Sequence, residues 1–344
     1  MARKRVVVIE GEDAAPEAMR PSVALLDGFG LPIDWLRPEP GRERDAIDDS
    51  DATYFGATSG ASARALFYLR WGKQAYANLR PVRHLPGARS PLARPEGIDL
   101  AIVRENLEDL YVGVEGSLEQ LGPLALQSRT SGRPIAELAP GRFALKVISE
   151  QGCERIARFA FALARKRRAL GRPGRVTCGT KHNMLAQTDG LFRAVAERVA
   201  AEHPDVCFEV RIVDDLAHRL VAQAHELDVV LLPNLYGDIL SDAAAALIGG
   251  LGLAPSGCYG ESYAYFEPAH GTAPDIAGKN AINPTATLLS GALLLEHLGF
   301  VDEARALERA IAATYADGRA LPPDQGGRAS TTEFCAAVAS RLFR

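Results

Sequence analysis

Asp238 and Asp242 stand four residues apart in the stretch Pro233-Asn234-Leu235-Tyr236-Gly237-Asp238-Ile239-Leu240-Ser241-Asp242. An apolar run from Asp228 to Leu232 precedes it and reads as a buried strand. Ala243 to Ile248 follows and reads as helix, stopped by Gly249-Gly250. On one helix the two carboxylates share a face, one turn apart. Like charges so placed repel unless a cation lies between them. Oxygen ligands of this kind suit a hard divalent ion, Mg2+ or Mn2+. The plainer alternative is that both acids simply favour a helix N-terminus.

Arg70, Arg80, Arg89 and Arg104 fall near turns or strand ends. The planar guanidinium grips a carboxylate by two oxygens, so converging arginines beside a divalent cation suit a small polyanion. Scattered surface arginines are the alternative. Lys181, in Gly179-Thr-Lys-His-Asn183, follows a strand and is a candidate base. Tyr111 is a candidate proton donor or a packing residue. Glu267-Pro-Ala-His270-Gly271-Thr272-Ala273-Pro274-Asp275-Ile276-Ala-Gly278 is an irregular loop whose amides and histidine suit a nucleotide. There Asp275 favours ribose hydroxyls over a 2′-phosphate, hence NAD over NADP. Gly250-Leu-Gly252 lacks the third glycine of a Rossmann fingerprint. His218 and His225, seven apart, do not have a metal-ligand spacing and read as surface or packing residues.

The elements that must position these groups alternate between strand and helix, which indicates an α/β protein. Strands are expected at Arg5–Glu10, 31–36, 52–55, 98–103, 176–179 and 208–213. Helices are expected at 16–27, 63–78, 189–201 and from Ser149 to about Leu170. The basic end of that last helix, Arg165-Lys-Arg-Arg168, suits the macrodipole rather than nucleic acid. Asn283-Pro284 caps a further helix ending at Gly299. Gly41–Ser50 reads as polar surface, 80–95 as a Pro-rich connection, and 111–142 as hairpin-like strands or an arm.

A chain of 344 residues exceeds one ordinary core, so two domains are expected. A net charge of −4 argues against general nucleic-acid binding, and no run is long enough to span a membrane. Five scattered cysteines, with no C-x-x-C pair, read as reduced thiols of a cytoplasmic protein.

Together, Tyr76-Ala-Asn-Leu-Arg80-Pro81, Val103-Arg104-Glu-Asn106, the Asn234–Asp242 stretch, Gly252-Leu-Ala-Pro-Ser256 and His270–Gly278 with Asn283-Pro284 resemble the β-decarboxylating dehydrogenases. These are the isocitrate, 3-isopropylmalate, homoisocitrate and tartrate/D-malate enzymes, and the resemblance covers nearly the whole chain. It implies a two-domain isopropylmalate-dehydrogenase-like fold with a mixed, mostly parallel sheet, not a Rossmann fold. The large domain takes residues 1–99 and 251–344 and the small one 100–250, with a strand arm near 111–142. It implies a homodimer with shared active sites. Arg70, Arg80 and Arg104 match substrate-carboxylate arginines, Tyr111 the catalytic tyrosine, and Lys181 a catalytic lysine that serves the partner's site. Asp238 and Asp242 match metal ligands of one subunit, and Asp214 the ligand from the other. His270, Gly271, Thr272, Ala273, Pro274, Asp275, Ile276 and Asn283 match the adenosine-binding loop, with NAD favoured. The implied reaction is NAD- and metal-dependent oxidation of a 2-hydroxy acid with loss of its C3 carboxylate as CO2.

Two departures stand out. Gly11-Glu-Asp-Ala-Ala-Pro-Glu17 replaces the family's usual Gly-Asp-Gly-Ile-Gly-Pro-Glu, and the segment before the helix at Ala63 is abbreviated. Leu66 and Phe67 share a helical face with Arg70, so the C3 substituent is expected to be apolar or small. Isocitrate-specific relatives usually carry serine and asparagine where this chain has Arg64 and Leu66. Isocitrate or homoisocitrate is the alternative substrate. A non-catalytic regulatory subunit is the alternative class, although it has no chemical need for Tyr111, Lys181 and three aspartates.

Overall fold

The computed structural model describes residues 3–343; Met1, Ala2 and Arg344, at the ends of the expected large domain, lie outside the described residues. The strands are β1 Lys4–Ile9, β2 Ile33–Leu36, β3 Ala52–Phe55, β4 Ala77–Arg83, β5 Asp99–Glu105, β6 Glu115–Ser117, β7 Arg142–Ala144, β8 Arg175–Thr180, β9 Cys207–Ile212, β10 Val229–Leu232, β11 Pro255–Tyr259 and β12 Ala264–Pro268. The helices are α1 Ala15–Asp27, α2 Glu43–Asp48, α3 Ala63–Phe67, α4 Glu150–Ala169, α5 Thr188–Ala201, α6 Val213–Ala222, α7 Asn234–Leu247, α8 Thr285–His297, α9 Val301–Asp317 and α10 Thr331–Leu342.

Ten strands form one sheet in the order β2-β1-β3-β12-β11-β4-β5-β10-β8-β9. Helical crossovers make its two flanks parallel. The centre, β12-β11-β4-β5, is antiparallel. The sheet is therefore mixed and mostly parallel. All four residues of β10 are buried, as a strand covered by helices on both faces requires. The apolar helix α8 is enclosed by α1, α9, β11 and β12, and Leu288, Leu294 and Leu295 are fully buried. The arm carries only the small β6–β7 ribbon and short 3-10 turns.

Two sequence expectations need correction. The helix expected over 63–78 is α3 followed by a π-helical turn, Tyr68–Gly72. Lys73 N donates to Tyr68 O at 2.9 Å and Ala75 N to Arg70 O at 2.9 Å, which widens the helix. Tyr68 packs over Gly72 where a Cβ would stand, and Gln74 at φ +53° ends the turn. Ala77 to Arg83 then pairs with β5, so Arg80 lies on a strand rather than in a connection. Pro81 is tolerated there because β11 pairs only as far as Leu79. Second, the 41–50 segment is not only polar surface; it contains α2, whose Ile47 is fully buried.

Candidate active site

β5, β10, β8 and β9 run parallel, so their C-terminal ends line one edge of the sheet. Ligands of α/β proteins collect at such edges. Arg104 is the last residue but one of β5, Asn234 follows β10, Lys181 follows β8 and Asp214 follows β9. α7 begins at Asn234 and has no acid in its first turn, so a helix N-terminus does not account for Asp238 and Asp242.

Three arginines close on that pair. Arg104, almost wholly buried, donates to Asp238 Oδ1, and its Nε to Asn234 Oδ1 at 2.9 Å. Arg80 donates to Asp242 Oδ1 at 2.9 Å and to Ser241 Oγ at 2.7 Å, and lies 3.5 Å from Asp238. Arg70 donates to Asn106 O at 2.7 Å and to Asn234 Oδ1 at 3.3 Å. Tyr111 donates to Asp238 Oδ2 at 2.5 Å, with the Arg70 and Arg104 guanidinium carbons 5.5 and 5.2 Å from its ring centre. Arg80 Nε is buried without a partner, which leaves this fork a free donor for an anion.

The electrostatics follow from this crowding. Burial, with Arg80 and Arg70 nearby, pushes Arg104 down to about 10, still cationic at neutral pH. Burial raises Asp238, but Arg104, the Tyr111 hydrogen bond, Arg80 and Arg70 outweigh it and leave the carboxyl below its usual range. Burial raises Asp242, Arg80 opposes, and Asp238 adds to the rise. Glu267 on β12 is pushed up to about 7 by burial, against the pull of the same arginines.

Sequence reasoning missed Asn234 and Gly237 as positioning residues. Asn234 is fully buried, holds Arg70 and Arg104 by one oxygen, and donates to Glu108 O at 3.0 Å. At Gly237 a Cβ would stand 2.6 Å from Arg104 Cβ and Cγ, so only glycine lets that side chain pass over α7. The Asn-x-x-Gly spacing ahead of the aspartates carried the signal.

Lys181 and Asp214 are not part of this cluster. They pair with each other, Nζ to Oδ1 at 2.6 Å. Among the described residues no three His, Cys, Asp or Glu side chains form a metal cage. Asp238 and Asp242 fit a hard cation as an oxygen pair that needs a third carboxylate from elsewhere. Phe67 is 58% exposed and lies tilted against Trp71 with ring centres 5.3 Å apart, whereas Leu66 is half-buried. Arg70 lies inside the π turn while Leu66 and Phe67 end α3, so the shared face expected of a regular helix needs correction; the wider turn aligns Leu66 with Arg70 better than Phe67.

The loop from His270 to Ile276 is held by the start of α1. Ala14 N donates to Thr272 O at 3.0 Å, and Ala273 and Ile276 pack on Ala14, Ala18 and Ile282. Glu17 accepts from Gly278 N and from Asn280 N at 2.5 Å. In the altered loop, Glu12 accepts from Thr58, Ser59, Gly60 and Ser62. Burial opposes ionisation there, but those bonds hold its carboxyl at about 2. Asp13, at φ +54°, adopts the backbone region that a glycine would take freely. Gly271, Pro274 and Asp275 are exposed. His270 Nδ1 faces Gly271 O at 2.8 Å, and its Nε2 is buried without a partner. Asn283 is buried, and its amide serves Tyr315, Asp324 and Thr285 N.

The chain is thus a mixed α/β protein whose arginines and aspartates gather at the strand ends of one sheet edge. Residues 37–338 match the isocitrate/isopropylmalate dehydrogenase family model, and the chain belongs to that family. It is 40% identical to the 3-isopropylmalate/3-methylmalate dehydrogenase of Methanocaldococcus jannaschii, over 98% of each chain. It is 38% identical to an isocitrate/homoisocitrate dehydrogenase of Thermus thermophilus, again over 98% of each. The crystal structure of isocitrate dehydrogenase from Methylococcus capsulatus superposes with a TM-score of 0.85 at 33% identity, covering 99% of this chain and 100% of that one. All five cysteines are free, and no helix among the described residues is long and apolar enough to cross a membrane.

Proposed function

We propose that the protein oxidatively decarboxylates a 3-alkylmalate, with NAD as oxidant and Mg2+ or Mn2+ bound between two copies of the chain. The observation that carries this is the arginine trio around Asp238 and Asp242, with the free Arg80 Nε, and the apolar Leu66 of α3 as the side chain in line with Arg70. A third substrate carboxylate desolvated against Leu66 would lose several kcal/mol without a partner. The name of the methanogen relative, a 3-isopropylmalate/3-methylmalate enzyme, supports the same class.

When bound, the divalent ion would supply Lewis acidity for the C2 hydroxyl and NAD would supply the hydride acceptor. Asp238 and Asp242 hold the ion together with Asp214 of a second copy. Arg70, Arg80 and Arg104 bind the two malate carboxylates, and Arg80 and Arg104 release the aspartates they now pair with. Lys181 of the second copy takes the C2 hydroxyl proton, and Tyr111 delivers a proton to C3 after CO2 has left. His270 and Asp275 receive the adenosine half of NAD. Residues 1–99 with 251–344 and residues 100–250 form the two lobes of the cleft. A second copy would cover Leu124, Leu138, Met184 and Ile239, each about 60% exposed or more in the single chain.

Two measurements test this. For 3-isopropylmalate or 3-methylmalate, kcat/KM exceeds that for isocitrate by about tenfold or more, roughly 1.4 kcal/mol. Isocitrate winning by the same margin refutes the apolar pocket and brings Arg64 into the site. The double variant Asp275→Lys, Ile276→Tyr shifts the NAD/NADP ratio of kcat/KM toward NADP by about 2 kcal/mol, roughly thirtyfold. A wild-type protein that already prefers NADP contradicts the role of Asp275.

A further inference from the structure

Behind the arginine cluster, two buried carboxylates share one ammonium. Lys146, just after β7, places Nζ 2.5 Å from Asp189 Oδ1 and 3.6 Å from Asp109 Oδ1. It lies over the Tyr236 ring at 4.6 Å. Asp109 and Asp189 are fully buried. Each also accepts from the backbone of a different functional segment, and Asp189 Oδ1 takes the Thr188 hydroxyl as well, at 3.4 Å. Asp109 Oδ2 accepts from Leu235 N, in the first turn of α7, at 2.9 Å. Its Oδ1 accepts from Leu110 N at 3.0 Å, at the head of the 3-10 turn that carries Tyr111. Asp109 itself is held at φ +69°, an unfavourable backbone region for a residue with a side chain. Asp189 Oδ2 accepts from the backbone N–H of Lys181 at 2.6 Å.

We infer that Lys146 is a positioning residue for two active sites at once. Through Asp109 it sets Tyr111 and the aspartate-bearing helix for the site of its own protomer. Through Asp189 it sets Lys181 for the site of the second copy. The inference rests on the shared-site reading proposed above. Its physical basis is the cost of burying like charges. Without the ammonium, Asp109 and Asp189 repel across a site from which water is excluded. Their relief is to move apart, which shifts the Leu235, Leu110 and Lys181 amides they hold. Displacement of catalytic groups by about 1 Å costs turnover on the order of 100-fold.

The test uses full-length dimers assembled from two differently tagged chains. In the Lys146→Met homodimer, kcat falls about 10- to 100-fold while KM for the hydroxy acid changes far less. Lys146→Arg, which keeps the cation, recovers much of that loss. The decisive species is the heterodimer of one wild-type and one Lys146→Met chain. Both of its sites are impaired, so its turnover falls far below half of wild type. Retention of half overturns the inference, because it means that Lys146 serves one site only. Asp109→Asn and Asp189→Asn give a second route should Lys146→Met not fold. Both placed in one chain opposite a wild-type chain impair both sites; divided between the chains they leave one site intact and half the activity. Equal activity in those two arrangements also overturns it. A separate control isolates the shared-site reading: Tyr111→Phe in one chain with Lys181→Met in the other keeps half the activity if sites are shared and almost none if they are not.

Discussion

Asp242→Asn lowers kcat by about 1,000-fold, roughly 4 kcal/mol of lost transition-state stabilisation, and weakens Mn2+ binding in the same variant. The substitution exchanges one carboxylate oxygen for an amide and leaves the other to accept from Arg80, now 2.9 Å away. The Asp242 side chain is 51% exposed, so the fold has little to lose. Its partner Asp238 is engaged by Arg104 and Tyr111 and stays in place. The loss is therefore local to the negative charge that a hard cation requires. Calorimetric titration with Mn2+ alongside turnover separates the two effects. Wild-type turnover, or unchanged Mn2+ affinity, would remove Asp242 from the ligand set.

Lys181→Met separates catalysis from stability even more sharply. Lys181 and Asp214 look like an ordinary surface ion pair, with side chains 30% and 68% exposed. Such pairs contribute about 0–1 kcal/mol to folding, so the unfolding midpoint barely moves. A general base contributes about 100- to 10,000-fold in rate, and kcat falls within that range. A variant with near-normal turnover would leave Lys181 as the surface residue its geometry in a single chain suggests.

Much of this arrangement was legible in the sequence because the elements involved are regular. The strand at Val229–Leu232 and the helix after it put Asp238 and Asp242 on one face, and α7 does so. The strand before Arg104 ends at Glu105, which delivers the guanidinium to the sheet edge. Arg80 was misplaced because its strand is made by pairing with β5, and no local pattern announces a partner. The π turn at Tyr68–Gly72 was invisible for a related reason: it depends on Tyr68 folding over Gly72. The loop at Gly11–Glu17 lost two glycines, and Glu12 and Glu17 tie it to the segments at 58–62 and 278–280. Lys146 gave no signal at all. Its partner Asp189 is 43 residues away, and only the return of the arm brings them together. Asp214 matched a ligand by resemblance, yet spacing along one chain carries no information about a contact made by a second copy.

The central claim is a metal-dependent oxidative decarboxylation, and one stoichiometric assay tests it most directly. Purified protein is stripped of metal with EDTA and given 3-isopropylmalate and NAD, and NADH and CO2 are followed together. The account predicts neither product until Mg2+ or Mn2+ is restored, then one NADH for each CO2. NADH formed without CO2, or both formed at full rate in the metal-free protein, would contradict it.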